Sequence, residues 1–591
     1  MIYSREEHIR FLEEEFRAQT EAYKQKLDTS ALFLLQDREQ LFVAQFLTFK
    51  DGEMILKFPN TRGLPRQGEY LYCFIVPKEL RNYRNWGNKT YGDLIKAKTN
   101  YSEVVCIWQT PSNEKDFSIA GFIGVELEFA NHIQNKAEGM ILLLGPNKPP
   151  FEYIENLISI VRNQNNKPVN KILDQDFQVS DWEPSLLDNK NNIADFVLSQ
   201  LALQDTLIIQ GPPGTGKTYL IAEISKRLCN DGKSVLVTAL TNRALIEIVE
   251  KPSLKKLLQE HRIFKTKLSF DEEKMFKDLQ QIKEVIPKPN NLVLSTFFIT
   301  SGQAAKTIDE PPFDYVIMDE ASQALLAMFA AAKLLGKKNI WIGDTRQLPP
   351  VIALSDDKVS RKNYGALVDG LKALTETASL PIFQLTETHR LTDRAASYTG
   401  IFYKSSLNSR TKKDIRLLYS EMDSNFSKLF HPKGGPTLIK MDLKAGEFKP
   451  KNALKLATDI VKHLLKSNEK LHISVLTYFV VTTKALQKAI FQTLGYHKNL
   501  LIETVSRVQG LTTDVTIFIV PNTSYHRSLE NRLFNVATSR SKRHTLIITD
   551  KSVLTRSQVD NEAKEYLLKL DEEFSFYIKY EDSTIVYNNR I

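Results

Sequence analysis

Cysteine is scarce. Cys73, Cys106 and Cys229 are isolated and odd in number, which excludes a disulfide frame and a zinc knuckle. Long apolar runs are missing too: none approaches the roughly 20 residues that would cross a bilayer, so no membrane partner is expected. The first fifteen residues are acidic and amphipathic, the wrong character for a signal or transit peptide, and the expected location is cytoplasmic. No internal repeat, nuclease motif or extended disordered arm is visible. What is present is a chain of 591 residues, 42% hydrophobic and 25% charged, with a net charge of +9. That length predicts two to four domains. The basic balance suits a polyanionic partner without establishing one.

Ser4 and Glu7 form a capping-box pattern that opens a helix. Ile9, Leu12, Phe16, Tyr23 and Leu27 follow at helical spacing, predicting one amphipathic strut against a neighbouring domain or a short coiled coil. From residue 40 the pattern becomes strands. Residues 40–50 and 53–58 flank Asp51-Gly52, a hairpin turn signal, and further β-rich runs lie at 70–76, 104–109, 119–125 and 140–144. Short strands with turns between them predict a small barrel. A helix over 151–161 and a polar linker over 163–170 close this section.

Past Trp182 the chain alternates β and α. Apolar strands are predicted at 206–210, 234–240, 291–295, 315–318, 339–342, 473–477 and 515–520, which points to parallel sheets covered on both faces. The Lys-rich segment 251–288 reads as helical. The tail reads as a helix over 561–570 and then a strand.

The strand ending at Gln210 runs into Gly211, Pro212, Pro213, Gly214, Thr215, Gly216, Lys217 and Thr218, and a helix follows. This is a P-loop in its required setting: glycines let backbone N–H groups face phosphates, and the helix N-terminus adds positive potential. Lys217 is expected to reach the β- and γ-phosphates of ATP and Thr218 to hold Mg²⁺. A second apolar strand delivers Asp319 and Glu320. Hydrolysis needs one carboxylate on the metal and another to orient and deprotonate water, so Asp319 is the metal ligand and Glu320 the base. Alone, an Asp-Glu pair reads as a solvated strand end; the upstream P-loop reverses that.

The run Asp319-Glu320-Ala321-Ser322-Gln323-Ala324 resembles motif II of the superfamily 1B helicases, the group containing senataxin and the nonsense-mediated-decay RNA helicase. Residues 343–350, from Gly343 to Pro350, resemble motif III, which implies that Gln347 senses the γ-phosphate. Residues 237–244 are similar to motif Ia and 294–296 to motif Ic, implying strand-backbone contacts at Thr241, Asn242 and Thr296. Residues 385–391 resemble motif IV, 504–510 motif V and 535–542 motif VI. By that match Arg390 and Arg540 are arginine fingers, which stabilise transition-state charge. Thr504 is implied to contact the strand and Gly510 the nucleotide.

The resemblance covers roughly residues 182 to 550. It implies an α/β fold of two tandem RecA-like parallel-sheet motor domains, preceded by a helical stalk and a small β-barrel. The expected domains are 1–165, 166–377 and 378–591. It also implies an ATP-driven helicase on a single strand of RNA or DNA, with 5′→3′ polarity; the alternative is an ATPase switch that does not unwind. A partner protein for targeting is expected.

Several family positions are altered. Asn191 stands where a Gln reads adenine, His389 where an aromatic stacks on the base, Thr512 where a Glu contacts ribose, and Thr482 where a Gln follows Tyr478-Phe479. None touches the phosphate chemistry. In the barrel section Arg81, Arg84, Lys89, Lys96 and Lys98 interleave with Tyr83, Trp86 and Tyr91. That mixture suits single-strand binding, with Arg81, Arg84, Lys96 and Lys98 as the contacts, or equally a solvated loop over ordinary core aromatics.

Overall fold

The computed structural model describes residues 2–37, 39–59, 63–111, 116–135, 139–164, 166–177, 183–188, 192–307, 310–377, 379–411, 422–495, 497–508, 510–581 and 584–588. They form two compact units. Residues 1–210, 217–345 and 349–384 make the first, and 211–216, 346–348 and 385–591 the second. Trp182, Asn191 and Gln509 lie outside the described residues.

The first unit opens with the stalk helix Arg5–Asp28, whose capping box is formed by Ser4 and Glu7. It packs as a strut. Phe11 and Leu12 are buried, Phe11 meeting Tyr364 edge-on at 5.2 Å. The buried carboxylate of Glu15 accepts the N–H groups of Ala353 (2.7 Å) and Leu354 (3.0 Å), which replaces lost water.

All six predicted strands that follow are present and close into an antiparallel barrel. In spatial order they are Phe42–Lys50, Glu53–Pro59, Phe117–Ile123, Asn100–Pro111, Tyr70–Ile75 and Ile141–Pro146. Alternate residues point inward, as in Glu53–Pro59, where Met54, Leu56 and Phe58 are core. The barrel is stoppered by a residue far away in sequence. Phe270 joins its core, 4.7 Å from Phe49, and the Phe270 N–H bonds Val125 O at 2.8 Å. Gly52 sits at φ +86° with room for no side chain: a Cβ would lie 2.8 Å from Asp271 Cα.

The same unit carries a nine-stranded parallel sheet in the order Gln280–Ile282, Ile263–Thr266, Leu292–Thr296, Val235–Ala239, Phe313–Met318, Gly336–Gly343, Thr206–Gln210, Ile382–Gln384 and Ser185–Leu186. Its central strands 206–210, 235–239 and 292–296 are buried at every position, as helices on both faces demand.

Two expectations are corrected here. The segment 251–288 is not all helix, since Ile263–Thr266 and Gln280–Ile282 add two strands to the sheet edge. Their runs are too short to give a period-2 signal, and pairing with Leu292–Leu294 decides the outcome. The linker over 163–170 is cut short by the helix Lys167–Leu173, capped by Asn166 and held by buried Val169, Ile172 and Leu173.

The second unit is built on a seven-stranded sheet: Leu500–Thr504, Ile473–Thr477, Thr513–Val520, Ser541–Asp550, Gly435–Met441, Ser575–Glu581 and Thr584–Asn588. Only the last pair is antiparallel. The predicted tail helix is Asn561–Glu573, and the strand after it is Ser575–Glu581. Among the described residues no helix is long and apolar enough to cross a membrane.

Candidate nucleotide and strand sites

In the first unit the strands all end on one edge of the sheet, where open α/β folds bind ligands. Thr206–Gln210 leads to the P-loop, and Lys217–Asn230 is the helix beyond it. Gln210, singled out by no motif, ties this edge together. Its Nε2 donates to Asp344 Oδ1 at 2.7 Å, and its Oε1 accepts the Thr345 N–H at 3.1 Å. The start of motif III is thereby fixed to the strand that feeds the P-loop. Only its position, last in that strand, marks it in the sequence.

Asp319 and Glu320 follow Phe313–Met318. Asp319 is 4% exposed; burial pushes its carboxyl up to about 6, against the pull of the Glu320 N–H (2.8 Å) and Lys217. Glu320 is raised to about 8, first by burial, then by the charges of Asp319 and Glu247, with Lys217 opposing. Its backbone is left-handed (φ +50°), a conformation costing a non-glycine residue about 1 kcal/mol or more. Its Oε2 is buried and accepts no hydrogen bond among the described residues. Two desolvated acids, both held above their ordinary range with Lys217 opposing, are ionised more readily when a further positive charge arrives. A divalent cation fits that donor set of hard oxygens.

The implied strand contacts of this unit do structural work as well. Thr241 caps the helix Asn242–Val249 by accepting the Ala244 N–H at 3.2 Å. Asn242 is exposed. Thr296 ends its strand, precedes the helix Phe297–Lys306 and is 7% exposed.

The crest of the P-loop, residues 211–216, belongs to the second unit. Gly214 and Gly216 have φ of +75° and +82°, conformations that side chains resist. The Thr388 hydroxyl donates to Pro213 O at 2.9 Å, and the His389 N–H to Gly214 O at 2.9 Å. A Cβ on Gly214 would come within 2.4 Å of Arg390 Cβ. The Thr215 hydroxyl bonds Pro212 O at 2.8 Å. Thr388 was visible in the sequence only as one letter of its motif.

Gln347, Arg390 and Arg540 are brought together in this unit. Arg540 is 2% exposed and donates to Gln347 Oε1 (3.4 Å), Val536 O (2.9 Å) and Leu511 O (3.4 Å). Arg390 donates to Ser539 O at 3.3 Å. Asn535 anchors the arrangement, its Nδ2 bonding Arg346 O and the Tyr403 hydroxyl, both at 2.8 Å. The His389 side chain is exposed. Thr504 is 4% exposed, with its hydroxyl on Glu503 Oε1 at 3.2 Å. Gly510 adopts φ +85°.

In the barrel section the cations and the aromatics part company. Arg84 and Lys96 are exposed, whereas Arg81 donates to Val76 O at 3.1 Å. Lys98 lies 5.4 Å over the ring of Tyr101, which stacks on Tyr72 at 5.0 Å. Trp86 and Tyr91 are fully buried, with their polar atoms on Leu80 O and Pro146 O. Of the two readings of this segment, Trp86 and Tyr91 follow the second and are core aromatics, because their polar ends are satisfied from inside.

Two family models, each described as an AAA domain, match residues 196–353 and 371–552. A DNA replication ATP-dependent helicase/nuclease of Schizosaccharomyces pombe is 26% identical over 404 residues, which is 61% of this chain and 27% of the relative. A DNA polymerase alpha-associated DNA helicase of the same organism is 24% identical over 60% of this chain and 62% of the relative. The chain thus spans less than two thirds of either relative. Among solved structures an arterivirus nonstructural protein 10 (helicase) is similar over 83% of this chain and 79% of that one, with 13% identity and a TM-score of 0.36.

Proposed function

This chain belongs to the superfamily 1 DNA/RNA helicases, and from that premise we propose that it is an ATP-driven motor gripping a single strand of nucleic acid. The observation that carries the reading is the acid pair after Met318: Asp319 is desolvated, and Glu320 has one oxygen buried and unbonded. A carboxylate held ready in that way suits a base that takes a proton from water. Thr218 and Asp319 would hold Mg²⁺, which when bound neutralises charge on the phosphates. Backbone N–H groups of Gly214, Thr215 and Gly216 and the Lys217 ammonium bind and orient those phosphates. Gln347, Arg390 and Arg540 form the cationic and polar group suited to charge developing on the transferred phosphoryl group.

Strand binding rests on phosphate contacts at Thr241, Asn242, Thr296 and Thr504, with Arg84 and Lys96 adding charge from the barrel. Such contacts position a strand without reading its sequence, so RNA and DNA both fit. The polarity of movement is 5′→3′, as in the group it resembles. The runner-up reading is an ATPase switch that closes on nucleic acid without unwinding. Strand displacement by purified protein decides between them. Duplex opening that requires ATP supports the motor; strand-stimulated hydrolysis with no displaced strand from either polarity of overhang supports the switch.

A further inference from the structure

The second unit exposes a cluster of apolar side chains where a parallel sheet ends. Ile473–Thr477 runs out into Tyr478 and Phe479, and the helix Val480–Leu494 begins there. Val480 and Val481 are 47% and 39% exposed in the first turn. Phe448 is 40% exposed and packs edge-on against Phe479, with centroids 4.8 Å apart and planes at 89°. Tyr478 meets Phe479 in the same way at 4.9 Å.

Phe448 arrives from far along the sheet, and the chain goes to some length to hold it there. After Gly435–Met441, Leu443 N–H bonds Asp550 Oδ2 at 2.8 Å, and the Asn522 side chain bonds Leu443 O at 3.0 Å. Gly446, at φ +76°, bonds Asn522 O at 2.9 Å. The final pin is Thr482, fully buried, whose hydroxyl donates to Phe448 O at 2.6 Å. Thr482 is one of the positions where this chain departs from the family it resembles, and here its shorter side chain has a distinct task. An aromatic that served only the core would be drawn under the sheet; this one is tethered by its backbone with its ring half in water.

The charge around the cluster is of one sign. Residues 443–452 contain Lys444, Lys449 and Lys451 against the single acid Glu447, and the helix adds Lys484 one turn in. All four lysines are exposed. The start of a 15-residue helix contributes its own positive potential. On the neighbouring strand Thr504 stands directly beside Thr477.

We propose that Phe448, with Tyr478, Phe479 and the two valines, is a stacking platform for the bases of a single strand whose phosphates lie along these lysines. The proposal rests on the strand-binding reading above and deepens it, since backbone contacts alone would leave the bases in water. Aromatic faces accept any base, so the platform adds grip without sequence preference. A nucleic-acid strand fits better than a protein segment because the apolar surface is small, aromatic and ringed by lysines.

The test compares a short oligothymidylate with an abasic oligonucleotide of equal length and charge, by fluorescence anisotropy on the full chain. The parent protein is expected to prefer the base-bearing strand. Phe448→Ala should weaken that strand about tenfold, as base–aromatic stacking does elsewhere, and leave the abasic strand unchanged. Phe448→Trp should restore the preference, and an unshifted thermal midpoint shows that the variants fold. Equal loss on both strands, or no loss on either, overturns the platform; the second result is the one expected if the patch takes a protein. A parent protein that binds neither strand overturns the strand-binding reading itself and the platform with it.

Discussion

Two buried acid sites in the first unit look alike in burial and differ in company. Lys265 is 0% exposed and its Nζ lies 2.9 Å from Glu272 Oε2; that ammonium also donates to Lys267 O, and the carboxylate accepts the Ser269 N–H. Burial raises the Glu272 carboxyl while Lys265 pulls it back. Asp319 and Glu320 follow a strand three places along the same sheet, set two acids side by side, and leave Glu320 Oε2 without a donor among the described residues. The first site is closed upon itself and pins the element that stoppers the barrel. The second keeps one carboxylate oxygen buried without a donor, as the proposed base would need. Charge buried with its partners is scaffold, and charge buried without them marks chemistry.

The largest effect that could break this contrast is kinetic. Arg540→Ala should lower phosphate release by about 10³-fold, the scale of lost fingers in other P-loop enzymes and equivalent to about 4 kcal/mol. An unchanged turnover number would remove Arg540 from the reaction and leave it a buried structural cation. On the scaffold side, Lys265→Met should cost about 3 kcal/mol in urea unfolding, because buried Glu272 loses its counter-ion. Adding Glu272→Leu should return most of that loss. If the single variant were as stable as the parent, the paired site would not be holding anything.

Glu320→Gln sharpens the comparison, since it also removes one buried acid. Hydrolysis should drop by roughly 10² or more, yet the urea midpoint should not fall, because no partner is stranded. Parallel losses of stability and rate would place Glu320 with the scaffold. The smallest effect is expected at the barrel. Arg84→Ala with Lys96→Ala should weaken strand binding only several-fold and make the slope of log affinity against log salt shallower by at most about 2. An unaltered slope would make both side chains a solvated face.

Legibility in the sequence followed the range of the interaction. The six barrel strands and the strands at 206–210 and 473–477 could be read because alternation or a short apolar run between turn residues is local. The phosphate and acid residues could be read because a P-loop and a strand-borne Asp-Glu pair are contiguous strings. The strand at 263–266 escaped because the strands it pairs with begin only at residues 280 and 292. Trp86 and Tyr91 offered the letters of a stacking surface, and only packing put them in the core.

The sequence by itself therefore determined the class of fold, the order of the motifs and the residues proposed to meet phosphate and water. Tertiary structure alone decided that Phe270 joins the core of a barrel whose strands end more than a hundred residues earlier, that Gln210 ties motif III to the P-loop strand, and that Thr482 holds Phe448 at the surface. The division has one physical cause. Propensity and loop chemistry act within a few residues, whereas burial and the satisfaction of buried polar groups depend on which distant segments the folded chain brings into contact.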